Sequence, residues 1–163
     1  MQQGTVKSEI VIKGIGIHGG VDCRVSILPA PVDSGIVYVI LNDSDSGGII
    51  RSCADNSGAG SAAIRASYLH VTATAMCTRL GRGKIGVSVV EHLSAALYIC
   101  GVSNAIIRVC GGEIPILDGS AAMFVKKILE IGVHWQIKPR KKLKIIQPVK
   151  VEEEGKSVTF SPS

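Results

Sequence analysis

Two amphipathic stripes of about three helical turns each, with one strand-length apolar run between them, constrain this chain more than any other feature. In the first, Val89, Leu93, Ala96, Leu97 and Cys100 recur at i, i+4, i+7, i+8 and i+11; in the second, Ala121, Phe124, Val125, Ile128, Leu129 and Gly132 repeat the stripe. Both stripes have readable ends. Ser88-Val89-Val90-Glu91 matches a capping box and Gly101 a C-terminal cap, while Asp118 or Ser120 can open the second helix and Gly132 can close it. Residues 105–110, between the two, read as a strand.

A helix with a single apolar stripe must cover another surface, and the rest of the chain offers strands. Residues 8–13 and 21–28 are short Ile- and Val-rich runs on either side of Gly14-Ile15-Gly16-Ile17-His18-Gly19-Gly20. In the second run Cys23, Val25 and Ile27 alternate with Asp22, Arg24 and Ser26, which predicts a strand with one wet face. Pro29 and Pro31 stop it, because proline lacks the ladder donor, and residues 36–41 begin another. Residues 42–61, mostly Asn, Asp, Ser and Gly, read as a long loop or a weakly structured insertion. Residues 143–151 and 157–160 flank Glu152-Glu153-Glu154-Gly155 as in a hairpin. Such a hairpin is marginal alone, so it either joins the first sheet or opens a second domain. The order predicts an α+β fold: a two-layer sandwich in which one sheet of about five strands carries two helices on one face.

Composition removes several classes. With 163 residues, 46% of them apolar, the chain can bury a core without disulfide or metal staples. The longest strongly apolar uncharged stretch, residues 93–107, falls short of the roughly 18 residues of a membrane span and contains Ser94, Gly101, Ser103 and Asn104. No transmembrane segment is expected. The first 13 residues hold no continuous apolar run of the secretory kind, which makes a cytoplasmic location the default. Cys23, Cys53, Cys77, Cys100 and Cys110 are odd in number and form no C-x-x-C pair, which fits reduced, packed thiols. Residues 126–150 carry eight Lys or Arg against one acid, Glu130. Such a stretch can hold phosphates or RNA, and its plainer reading is a solvated strand or linker.

Glu91 and His92 are the first candidates for chemistry. A carboxylate beside an imidazole at a helix start suits a metal hydrolase, with His as ligand and Glu as proton acceptor. The plainer reading makes Glu91 the reciprocal partner in the capping box and His92 a residue at the edge of the apolar stripe. No H-E-x-x-H motif supplies further ligands. His18 and Asp22 have i, i+4 spacing, but Gly19 and Gly20 between them make a helix there improbable. A G-x-G-x-x-G match at Gly14, Gly16 and Gly19 is followed by a strand, not a helix, which removes a dinucleotide-binding reading. In the connection Gly111-Gly112-Glu113-Ile114-Pro115-Ile116-Leu117-Asp118-Gly119-Ser120, Glu113 and Asp118 read as turn and cap residues.

Four segments in this order, Gly14-Ile15-Gly16-Ile17-His18-Gly19-Gly20, Met76-Cys77-Thr78-Arg79-Leu80, Ser88-Val89-Val90-Glu91-His92-Leu93-Ser94-Ala95-Ala96-Leu97 and Glu113-Ile114-Pro115-Ile116-Leu117-Asp118-Gly119-Ser120-Ala121-Ala122, resemble the amino-terminal domain of the UDP-3-O-acyl-N-acetylglucosamine deacetylases. The resemblance covers roughly residues 5–161. It implies a zinc-dependent amide hydrolase of the committed step of lipid A synthesis in Gram-negative bacteria, built from two similar α+β domains with the site between them. On this sequence the resemblance implies Glu91 as general base and His92 as one of three zinc ligands. It places the other ligands, and a further His, in a later H-x-x-x-D segment of a second domain, and the acylated UDP-sugar as substrate. Met76, Cys77 and Thr78 match a segment that lines the substrate cleft, and Ile17 and His18 a loop near it. Residues 39–75 look longer than their family counterpart.

The resemblance implies residues 1–137 as a first domain, with 42–75 as an insertion and cleft region, and residues 138–163 as a connector and the first strands of a second domain. On that reading the chain is a fragment, inactive alone, whose partners are the substrate and the second domain. The alternative is a stand-alone basic α+β module that binds RNA or phosphates through residues 126–150. Aromatics weigh against it: only Phe124 and Trp135 fall in or beside that stretch, too few for base stacking, and no nucleic-acid partner is expected.

Overall fold

The computed structural model describes residues 1–41 and 62–162. The expected loop or insertion at 42–61 lies outside them. The central sheet has five strands: β2 (Ile10–Ile15), β3 (Asp22–Pro29), β4 (Ile36–Ile40), β5 (Ala62–Arg65) and β9 (Ala105–Cys110), in the order β2-β3-β9-β4-β5. All pairs are antiparallel except β4 with β9. Two helices, α1 (Glu91–Ile99) and α2 (Ala122–Ile131), flank β9 in sequence. This is the expected α+β layer.

Register explains why one face is apolar. Ile12 pairs with Val25 and Val25 with Val109; Ile10 pairs with Ile27, Ile27 with Ile107, and Tyr38 with both Ile107 and Ile64. Side chains alternate along each strand, so these residues share one face. All are buried in one cluster with Leu93, Ala96 and Leu97 of α1 and Phe124 and Ile128 of α2. The wet face is less wet than the alternation implied: Ser26 is buried as well.

Five further strands were not legible beforehand. β1 (Gln2–Val6) pairs with β10 (Val133–Pro139), joining the two ends of this layer, and β10 runs two residues beyond Ile137. A small meander, β6 (Val71–Ala73), β7 (Arg79–Arg82) and β8 (Ile85–Val87), follows β5 through a 3₁₀ turn at Tyr68–His70. Residues 62–75 therefore carry two strands and a turn. The predicted carboxy-terminal hairpin is present as β11 (Val149–Glu153) and β12 (Lys156–Phe160), shorter on its first strand than expected. Its turn residues, Glu154 and Gly155, both have positive φ, as a two-residue hairpin loop requires. It pairs with no other described strand, and its side chains are exposed.

Helix ends are half as expected. α1 closes in a Schellman motif: Gly101 has φ 76°, Val102 N–H donates to Leu97 O and Gly101 N–H to Tyr98 O. A Cβ on Gly101 would also lie 2.8 Å from the Trp135 ring, so this glycine lets β10 close over the helix end. Gly132 ends α2 with φ 86°, donating to Ile128 O. At the start of α2 neither Asp118 nor Ser120 is the N-cap: Ala121 stands there without a side-chain cap bond, while Ser120 Oγ, one residue earlier, accepts from Ala122 N–H and Asp118 Oδ1 accepts in turn from the N–H and hydroxyl of Ser120. The capping box at Ser88 is absent. Val89 has φ 63°, so the chain turns sharply before the helix, Val90 stands at the N-cap without a side-chain bond, and Ser88 instead accepts from Arg79 Nη1 at 3.2 Å.

Candidate functional site

Loss of the capping box changes what Glu91 does. It is the first residue of α1 and not the third, and its carboxylate turns away from the helix toward the loop before β7. There Oε1 accepts the backbone N–H of Thr78. Its Oε2 is buried and has no hydrogen-bond partner. Burial alone would raise the Glu91 carboxyl, but bonds from its own backbone N–H and from Thr78, with the adjacent His92, outweigh it and hold the group below its ordinary value. Glu91 is therefore an anion at neutral pH.

Val89, two residues before Glu91, is β-branched and buried, and its φ of 63° costs about 1–3 kcal/mol. The surrounding structure enforces it. Ser88 N–H donates to Gly112 O and Ile114 N–H to Ser88 O, which stitches the entry of α1 to the connection after β9. That connection reaches the glycine loop: Glu113 accepts from His18 N–H at 3.2 Å and from Gly19 N–H at 3.1 Å, and Ile116 N–H donates to Ile15 O. A Cβ on Gly16 would fall 2.5 Å from Glu113 Oε2, so Gly16 must be glycine for the carboxylate to dock. Glu113 is thus a clamp between loops and not merely a turn residue. No local signal marked it, because its partners lie 94 and 95 residues away.

His92 is half-buried beside Glu91. Nearby, the Asp118 carboxyl is held low first by the Ser120 backbone and side-chain bonds, with a smaller contribution from His92. Among the sequence-derived residues, Thr78 touches Glu91 directly, Cys77 is half-buried beside it, and Met76 is 93% exposed with φ 61°. Ile17 and His18 are exposed and reach the pair only through Glu113, Ile114 and Ser88. Four segments far apart in sequence thus form one connected set of loops around Glu91 and His92. Cys23, Cys77 and Cys100 are free thiols, and burial raises Cys23 and Cys100.

Among the described residues no group of three or more His, Cys, Asp or Glu could hold a metal ion. No helix among them is long and apolar enough to cross a membrane. Within the basic stretch Lys127 pairs with Glu130, Lys138 with Asp33 and Lys150 with Glu152, while Arg140 stacks over Tyr98. A groove of about 460 Å³ near Tyr98 and Arg140 lies at the other end of α1 and contains none of the candidate residues.

The class these features define is an α+β chain that presents an adjacent carboxylate and imidazole at a helix start, ringed by loops. The family model for LpxC, UDP-3-O-acyl N-acetylglycosamine deacetylase, matches residues 3–163, and the chain belongs to that family. A UDP-3-O-acyl-N-acetylglucosamine deacetylase of Legionella pneumophila (strain Corby) is 38% identical over 162 residues, which cover 99% of this chain and 48% of the relative. The protein of the same description from Shewanella baltica (strain OS155) is 40% identical over 161 residues, covering 98% and 48%. The chain spans about half the length of the curated relatives it matches.

Proposed function

We propose that this chain supplies the general base, Glu91, and one zinc ligand, His92, of an enzyme that hydrolyses the N-acetyl amide of UDP-3-O-acyl-N-acetylglucosamine in lipid A biosynthesis in the cytoplasm of Gram-negative bacteria. The single observation that carries the reading is the Glu91 carboxylate, anionic, held by Thr78 N–H and set beside an imidazole in a family whose relatives carry that name. Residues 1–137 are the first domain on this reading. Residues 138–163 belong to the connector and opening strands of a second, consistent with the unpartnered hairpin.

The donor set fits zinc in part. His92 offers one nitrogen with a proton acceptor at its side, whereas catalytic zinc takes three protein ligands, so the others must come from the second domain. Bound there, zinc would acidify water and polarise the amide carbonyl. The rest follows from this chain's own groups. Glu91 Oε2 has no solvent access, so the proton of the attacking water is taken at Oε1, whose second lone pair the Thr78 bond leaves open. The Thr78 N–H fixes the carboxylate plane before reaction. Cys77, Thr78 and Met76, with the Ile17-His18 loop clamped by Glu113, form the wall on which the acylated UDP-sugar lies.

The test is Glu91→Gln in the full-length enzyme. General-base loss predicts a fall in kcat of about 10²–10⁴-fold with zinc content unchanged by elemental analysis. His92→Ala should lose the metal. An unchanged kcat in Glu91→Gln removes Glu91 from the mechanism.

A further inference from the structure

Two buried polar atoms near the start of α1 have no hydrogen-bond partner: Oε2 of Glu91 and the hydroxyl of Tyr38. Tyr38 lies at the centre of β4, paired to Ile64 on one side and Ile107 on the other, and is fully buried. Its ring belongs to the core, where phenylalanine would pack equally well, so the hydroxyl needs its own explanation. Buried hydroxyls are almost always satisfied, and Tyr38 packs in one cluster with Val90 and Leu93, which flank Glu91, so a lone donor and a lone carboxylate acceptor are buried at the same helix start. Tyr38 lies beside Ser94, one helical turn after Glu91 on the same face of α1, yet makes no bond of normal geometry with it.

We infer that Tyr38 is a positioning residue for Glu91, its hydroxyl donating toward the buried Oε2 through one internal water. The inference rests on the reading of Glu91 as the base. Thr78 N–H and the Tyr38 hydroxyl then hold the two carboxylate oxygens from opposite ends, leaving only the outer lone pair of Oε1 to face the reaction. The hydroxyl is suited to this: burial first, and the Glu91 charge after it, push it up to about 12 against the pull of Ser94, so it remains a proton donor throughout the working range.

The experiment compares wild type, Tyr38→Phe, Glu91→Gln and the double variant in the full-length zinc-loaded enzyme. Loss of a bond to a charged group predicts that Tyr38→Phe lowers kcat about tenfold, with KM and zinc content within twofold of wild type. In the Glu91→Gln background it should change kcat by less than twofold. Thermal unfolding adds a readout independent of turnover: the Tm change for Tyr38→Phe should differ between the wild-type and Glu91→Gln backgrounds, whereas a purely packing role gives the same change in both. A kcat within twofold of wild type for Tyr38→Phe, or equal Tm changes in the two backgrounds, overturns the inference. Full activity in Glu91→Gln overturns instead the reading on which it stands.

Discussion

Asn104→Ala tests the junction that holds the β1–β10 ribbon to the central sheet. Asn104 is 2% exposed. Its Nδ2 donates to Gln3 Oε1 at 2.7 Å and to Gln136 Oε1 at 2.6 Å, and its Oδ1 accepts from Gly35 N–H at 2.9 Å. Truncation does not strand every partner: Gln3 Oε1 keeps the Asp33 N–H, and Gln136 Nε2 keeps Ala30 O. The Gln136 Oε1 and the Gly35 N–H lose theirs. At about 1–3 kcal/mol for each stranded group, with partial relief where water enters, the loss is about 2–5 kcal/mol. For a protein of this size that is a fall in Tm of about 5–15 °C, read by circular dichroism. Ser103→Ala is the matched control, because it removes a buried Oγ that has no partner and so breaks nothing. A Tm change for Asn104→Ala no larger than that of Ser103→Ala would refute the junction.

Other outcomes follow from the same contacts. Glu113→Ala frees the His18 and Gly19 amides, whose hydrogen exchange should rise about tenfold by NMR; Gly16→Ala, which pushes a Cβ against the same carboxylate, should reproduce the effect, and unchanged exchange in both would show that the loop is held elsewhere. Asp33 is held below its ordinary 3.8, first by the Lys138 bond and then by Gln3. A depressed carboxyl adds stability above that ordinary value and loses it as pH falls through the folded one, so Asp33→Asn should lower Tm at neutral pH and the gap to wild type should close as pH falls from 3.8 through the folded value. Parallel Tm curves across that window would contradict the assignment.

The carboxylate at position 91 shows where local reading stops. Ser88 and Glu91 have capping-box spacing, and sequence distance alone cannot tell a capping carboxylate from one turned outward. Positive φ at Val89 decides it, moving the helix start to Glu91 and giving its carboxylate to Thr78. Glu113 read as a turn residue for the same reason. Its two amides are close only once β2, β3 and β9 pair in register. β1 escaped notice because it carries no alternation. β10 does alternate, Val133, Trp135 and Ile137 against His134, Gln136 and Lys138, but lies in the basic stretch that reads as a linker, and its partner β1 is at the other end of the layer, with each a strand by virtue of the other.

The sequence by itself determined the periodic parts of this protein. The two helices, the alternating strands β3 and β9, the C-terminal hairpin and the glycines at 101 and 132 follow from side-chain period and backbone freedom, which act within a few residues. The ordered motifs likewise singled out the Glu91-His92 pair. Tertiary structure alone decided what those residues face: that Thr78 holds one oxygen of Glu91, that the other is buried without a partner, and that Glu113 joins the glycine loop to the α1 entry. The physical reason is that hydrogen bonds and burial depend on distance in space, and here the decisive partners are separated by 13 to 95 residues of chain.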